Sequence, residues 1–245
     1  MLGFVTGIVT AAVILSFRTV VDAGLLWLPG DSTENFEGLD TITRAILIMG
    51  GAIVLGLLLN RYRPSARRVG VVHVMERLSL HQGNLPLKNA VIQFVGGAIA
   101  LVTGQSGGRE GPAIHLGATA ASLLGRASRL PNNSLRTMVA CGTAAAIASS
   151  FNTPIAGVIF AMEVVMMEYT IASFIPVIVA SVTSTLITQI VYGNEPAFIV
   201  APSTMHSLFE IPYLVLGGIL IGCVAAGYIQ LIQAFARLSE QPLWQ

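Results

Sequence analysis

The chain has 245 residues, 54% of them hydrophobic and only 10% charged, with a mean hydropathy of +0.76 and a formal net charge of +1. A soluble domain carries about 25% charged residues, so this composition excludes an ordinary water-soluble globule and points to a polytopic membrane protein. Lys88 is the only lysine, so no run of lysines could track phosphates, and the net charge points to no nucleic-acid partner.

In chain order, the first apolar stretch is Leu2–Phe17. No basic residues precede it and no small-residue cleavage site follows, so it reads as a membrane helix and not as a removable signal peptide. An acidic loop with Asp31, Glu34, Glu37 and Asp40 comes next, then Ala45–Leu59, then a loop with Arg61, Arg63, Arg67 and Arg68. Apolar stretches recur at Ala90–Val102, Ala113–Leu124, Met138–Ser149, Ile155–Met167, Ile171–Val191 and Tyr213–Phe235, with Arg126, Arg129 and Arg136 clustered between two of them. By the positive-inside rule the two basic loops are cytoplasmic and the acidic loop is outside. Trp27 and Trp244, near stretch ends, read as interfacial anchors.

Only Ile171–Val191 and Tyr213–Phe235 reach the ~20 apolar residues that span a bilayer comfortably. The middle stretches are short, rich in Gly and Ala, and interrupted by Gly-Pro and Asn-Thr-Pro. A helix that stops at membrane depth must leave its end facing protein or a water-filled cavity, because lipid cannot satisfy a free backbone group. Broken helices of this kind recur in ion sites near the bilayer midplane. The fold class that follows is an all-α, polytopic membrane protein with broken intramembrane helices. Cys141 and Cys223 each lie alone in an apolar segment and read as buried, inert thiols, not as a disulfide or a metal site.

The most charged point at membrane depth is Gly108-Arg109-Glu110-Gly111-Pro112, between Phe94–Thr103 and Ala113–Leu124. An ionised group near the bilayer centre costs roughly 2.5–3.5 kcal/mol on insertion scales, so such residues usually face a pathway. Pro112 suits the first turn of a helix, where its missing N–H costs nothing. The glycines let the backbone turn and expose successive amides, and a helix start attracts an anion through about half a positive charge. Glu110 is itself an anion, so it can occupy such a site and close it until protonation or a competing ion displaces it. The alternative is that Arg109 and Glu110 simply neutralise each other as a structural pair. The sequence mechanics leave both open.

Gly108-Arg109-Glu110-Gly111-Pro112 resembles the signature of the CLC family of chloride channels and chloride/proton exchangers. Further along, Phe151-Asn152-Thr153-Pro154-Ile155-Ala156-Gly157-Val158-Ile159-Phe160-Ala161-Met162-Glu163 is similar to a second motif of that family. The resemblance implies a CLC-type fold, intramembrane helices whose N-termini converge on a dehydrated anion, and Glu110 as the gate. It implies that the backbone of Gly108, Arg109, Glu110, Gly111 and Pro112 helps form the anion site. It also implies that Phe151, Asn152 and Pro154 belong to a turn between two short helices at a protomer interface, the family being dimeric. Chloride is then the transported ligand, membrane lipid and a second copy are the partners, and no cofactor, metal or enzymatic activity is expected. The implied location is integral and multi-pass, in a cell or inner membrane.

Three departures from the family pattern bear on function. The family's earlier Gly-Ser-Gly-Ile-Pro corresponds here to Arg68-Val69-Gly70-Val71-Val72-His73, so Val69 stands where a serine hydroxyl contacts the inner anion. Val69, Gly70 and Val71 are thus the inner-site region with a donor removed, and His73 is read as a solvated helix-start histidine. Exchangers carry a second glutamate directly after the position matching Glu163, where this chain has Val164, as channels do. Valine cannot pass a proton, which favours a channel-like conductance over a Cl⁻/H⁺ antiporter, with Glu163 or Glu168 as the other acids nearby. Lastly, residues 1–245, read as one transport domain, match only the first of the family's two inverted halves plus the start of the second. The expectation is a fragment of a longer protein.

Other readings remain on the sequence. Val69 also fits a fluoride or other anion transporter, although Pro112 and the Phe151–Glu163 run favour chloride. Gly104-Gln105-Ser106-Gly107-Gly108 satisfies the Gly-x-Ser-x-Gly pattern, which an intramembrane serine protease would need together with His115 or His206 as base.

Overall fold

The structure is a computed structural model that describes residues 1–27, 39–167, 170–194, 207 and 210–240, with the side chains of 236–240 left aside. In chain order the described helices are α1 (Leu2–Leu26), α2 (Thr41–Asn60), α3 (Gly70–Leu80), α4 (Leu87–Val102), α5 (Glu110–Ala127), α6 (Asn132–Phe151), α7 (Pro154–Phe160), α8 (Ile171–Tyr192) and α9 (Glu210–Glu240). A 3₁₀ turn at Pro64–Arg67 leads into α3, and a π-helical turn at Ala161–Met166 continues α7. The described residues contain no strand, as the all-α reading expects. Two units are separable, Met1–Ile199 and Val200–Gln245; α9 lies in the second.

Four described helices, α1, α2, α8 and α9, are long and apolar enough to cross a membrane, where the sequence reading found two. The difference lies in how charge interrupts a hydropathy pattern without interrupting a helix. In α1, Arg18 and Asp22 sit one turn apart with Nε and Oδ2 at 3.7 Å, and the Arg18 guanidinium stacks 3.8 Å over the Tyr192 ring of α8. The paired charges let α1 run on to Leu26. In α2, Arg44 in the first turn folds back to donate to the Leu39 carbonyl at 3.1 Å.

The short helices end where the chain supplies stop signals. Asn152 adopts a left-handed conformation (φ 56°, ψ 36°) at the end of α6, and Pro154 opens α7 at a position that needs no N–H. The break thus falls at Asn152–Thr153. Its first helix, α6, is not short, however: its 20 residues make it the central element of the first unit. At about 1.5 Å per residue, the 11 residues of α3 and the 7 of α7 fall well short of a ~30 Å hydrocarbon layer.

Small residues decide how closely these helices pack. α6 contacts α1, α5, α7 and α8. Where α5 crosses α6, Gly117 and Gly142 face each other, and a Cβ on Gly117 would lie 2.5 Å from the Gly142 carbonyl oxygen. A Cβ on Gly157 of α7 would lie 2.5 Å from the Ala144 carbonyl of α6. Ala140, Ala144 and Ala145 of α6, with Met162 and the α8 residues Val177 and Ala180, fill the core alongside. Three hydroxyls between α6 and α8 find partners: Ser184 donates to the Ala145 carbonyl (2.9 Å), and Ser149 and Thr188 share a 2.5 Å hydrogen bond. Such bonds matter at membrane depth, where no water competes to satisfy a polar group.

Candidate anion pathway

The segment that leads into α5 is pinned from below and beside. Thr103 caps α4 and bonds back to Ile99, Gly104 turns the chain at φ 69°, and the Gln105 amide N–H returns to the Ala100 carbonyl at 2.9 Å. The Gln105 side chain donates to the Ile48 carbonyl of α2 at 2.7 Å. Pro112 packs its ring on Gly97 of α4, so close that a Cβ on Gly97 would lie 3.1 Å from Pro112 Cγ. These contacts fix the place where α5 begins.

The helix begins at Glu110, with Arg109 as its cap residue and Pro112 in the first turn. The first intrahelical bond runs from the Ala113 N–H to the Arg109 carbonyl (3.0 Å), which leaves the Glu110 and Gly111 amides ahead of it without an i−4 acceptor. Arg109 and Glu110 form no ion pair, and none of the ion pairs among the described residues includes either. Arg109 borders a crevice against α1 with Arg18 and Asp22, whereas the Glu110 carboxylate folds back over Gly108, where a Cβ would collide with it. Both side chains are exposed in this chain. The structural-pair alternative is not what the geometry holds: the carboxylate lies beside the glycine backbone at the helix start.

The second helix start is that of α3. Its cap residue is Val69 in extended conformation (φ −144°, ψ 175°), with no side-chain bond to the helix. Gly70 follows at φ 81°, in the region that favours glycine, and Val71 completes the entry. Asn89 of α4 holds this entry in place by donating to the Ser65 and Arg68 carbonyls at 3.1 and 2.8 Å. α3 packs against α5, and the two meet at a pair of rings: His73 and His115 have centroids 5.4 Å apart at an interplanar angle of 61°. His73 is 6% exposed and His115 wholly buried, which corrects the reading of His73 as a solvated residue. Neither ring nitrogen of either histidine has a hydrogen-bond partner among the described residues. On sequence alone the two histidines sit 42 residues apart and nothing local links them; only the packing of α3 on α5 joins them.

The other candidate positions are spread around this centre. Val164 is half-buried in the π-helical turn, and its neighbour Glu163 is exposed. Val165 packs with Val74 of α3 and Ile114 of α5, so this turn closes the same side of the site. At the C-terminal end of α6, Asn152 accepts a 2.7 Å bond from the Gln189 side chain of α8, while Phe151 is half-buried against the cluster around Val165. Ser106 is exposed, and His115 turns its ring to His73 without any hydrogen bond to a serine, so Ser106 and His115 form no nucleophile–base pair. His206, Glu168 and Trp244 lie outside the described residues. Cys141 is buried as expected, but Cys223 on α9 is exposed within its unit.

A family model described as voltage gated chloride channel matches residues 50–245. The chain belongs to the voltage-gated chloride channel family. Among curated members of the CLC family, it is 28% identical over 256 residues to the voltage-gated ClC-type chloride channel ClcB of Salmonella typhimurium, covering 98% of this chain and 60% of that protein. A solved CLC-type fluoride/proton antiporter superposes with a TM-score of 0.79 at 25% identity, covering 99% of this chain and 59% of that one. A slow cyanobacterial Cl⁻/H⁺ antiporter shares the fold with a TM-score of 0.76 at 21% identity, over 98% and 59% of the two chains. The chain thus spans little more than half the length of the CLC proteins it matches.

Proposed function

We propose that this chain forms part of a gated chloride pathway in which Cl⁻ passes the N-termini of α3 and α5 and the Glu110 carboxylate is the gate. The observation that carries the reading is the position of Glu110: first residue of α5, unpaired with Arg109, its carboxylate laid over Gly108 next to the free amides of the helix start. A charged carboxylate and a halide compete for the same amide donors, and a helix start offers attraction without a fixed full charge, which lets the ion leave again. Protonation removes the competitor's charge and frees the donors. The absence of a serine hydroxyl at Val69 leaves backbone amides as the inner-site ligands, and Val164 supports a passive, channel-like conductance.

Proton-coupled exchange is a second reading, supported by the two solved neighbours, whose names describe them as antiporters. Reconstituted vesicles separate the two. A chloride gradient that drives proton uptake establishes exchange; chloride efflux without proton movement establishes the conductance. In either case Glu110→Gln should raise resting efflux and flatten its dependence on pH. Efflux from the Gln variant as pH-sensitive as that of the unaltered chain would overturn the gate.

A further inference from the structure

The histidine pair sits where nothing in the proposed gating uses it. His73 and His115 are polar, buried and face to edge, with none of the four ring nitrogens in a hydrogen bond, and leaving such groups unsatisfied costs stability. The pair is not isolated from the surface. His73 Nδ1 lies 3.9 Å from Glu76 Oε2, and Glu76 in turn holds Arg68 at 2.6 Å on an exposed rim of α3. A line of titratable groups therefore runs inward from a half-exposed carboxylate, through one imidazole that is nearly buried, to a second that is wholly buried on α5. His115 is five residues after Glu110 on the same helix, a rise of about 7.5 Å.

We propose that Glu76, His73 and His115 form a proton relay that delivers protons from the Arg68 face to the gate; the proposal rests on the reading of Glu110 as the protonatable group. A proton taken from water at the Glu76 carboxylate passes to Nδ1 of His73. His73 releases its other proton from Nε2 toward His115, which hands one on toward Glu110 by the same exchange of ring protons. Each imidazole accepts one proton and gives up one, so rings and carboxylate return to their starting charge and one proton has moved inward. Imidazole suits the task because it can accept at one nitrogen while donating from the other.

The charged groups that act on His73 are Arg77, Glu76 and Arg68 flanking it and His81 at the end of α3, while on α5 the titratable group facing it is His115. On the π-helical turn packed beside α3, the acid is Glu163, which is exposed and not among them. Val164, on that same turn, has no ionisable group. Among the described residues, the histidine pair is thus the titratable connection between the Arg68 face and α5.

The test uses the full chain in vesicles with pH varied separately on each side. Unaltered efflux should respond to pH on the Arg68 face by up to about tenfold per pH unit, the limit for one titrating proton. His73→Gln and His115→Gln should flatten that response to within about twofold while keeping the response to pH on the opposite face. Glu76→Gln, at a half-exposed position with little effect on folding, should weaken the same response. If Glu110→Gln removes pH dependence from both faces but both histidine variants keep it on the Arg68 face, the relay is wrong and the gate stands. If Glu110→Gln leaves pH dependence intact, the gate reading itself fails. A readout free of transport is ¹⁵N-histidine NMR in nanodiscs: His115 should exchange its ring proton with solvent readily in the unaltered chain and markedly more slowly in His73→Gln. Exchange that is unchanged in that variant overturns the relay whether or not ions flow.

Discussion

A methyl group on Gly117 has no room. The ideal Cβ would stand 2.5 Å from the Gly142 carbonyl oxygen, 2.6 Å from the Ala146 methyl and 3.0 Å from a methyl of Thr10, at the point where α1, α5 and α6 meet. None of these neighbours is the far end of a flexible side chain, so relief requires backbone movement. Gly117→Ala should therefore lower stability by about 1–3 kcal/mol, as overpacking a tight core does. Thermal unfolding in detergent checks this, with Gly96→Ala as the control, since a Cβ there would meet only Leu55 at 3.9 Å. Equal melting temperatures for the two variants would mean that α5 and α6 do not approach as closely as described. The sequence carries Gly117 and Gly142 as two among 25 glycines, and nothing local says that they face each other.

At the level of the element, the proposed pathway rests on two helix starts whose cap residues differ in conformation, Arg109 helical and Val69 extended. Val69 holds the extended backbone that a cap residue needs but offers no side-chain acceptor to the first-turn amides of α3. Val69→Ser supplies one. In the absence of anion it should stabilise the start of α3 by about 0.5–2 kcal/mol, read as a higher melting temperature. With chloride present the same hydroxyl can donate to the ion, and one net hydrogen bond of about 1 kcal/mol corresponds to roughly fivefold tighter binding. Calorimetric titration with chloride measures it, and unchanged affinity would mean that the start of α3 does not face the ion. Gly70→Ala should go the other way, because φ 81° costs a side-chain-bearing residue about 1–2 kcal/mol.

These starts and stops were legible where the signal is local. Asn152-Thr153-Pro154 broke the chain at the expected place, and Gly111-Pro112 opened α5 within a residue of it, because φ preference and a missing N–H act over one or two residues. The far end of α1 was not legible, since Arg18 and Asp22 look like a boundary until their pairing and the Tyr192 ring are seen, and the start of α2 was set four residues late, at Ala45, just past Arg44. The histidine pair was hidden for a related reason: it is a product of α3 packing on α5, and His73 alone resembles any solvated residue at a helix start.

For the whole molecule, the distribution of apolar surface sets the surroundings. α2 buries only Gly51 while presenting Ile42, Ile46, Met49, Ile53 and Leu57 outward, a face no water-soluble protein could leave uncovered. Its 20 residues extend about 30 Å, the thickness of the hydrocarbon core, with Asp40 before one end and Arg61, Arg63, Arg67 and Arg68 beyond the other. Length, outward hydrophobicity and charge asymmetry together predict that α2 crosses the bilayer with its basic end in the cytoplasm. Cysteines introduced singly at Asp40 and Arg63, with Cys223→Ser to silence the exposed native thiol, test the arrangement. A membrane-impermeant maleimide added to intact cells should label Asp40→Cys, and Arg63→Cys should react only after permeabilisation. The reverse pattern would invert the orientation, and with it the side from which Arg68 and Glu76 meet water. Labelling of both from one side would mean that α2 does not traverse the membrane.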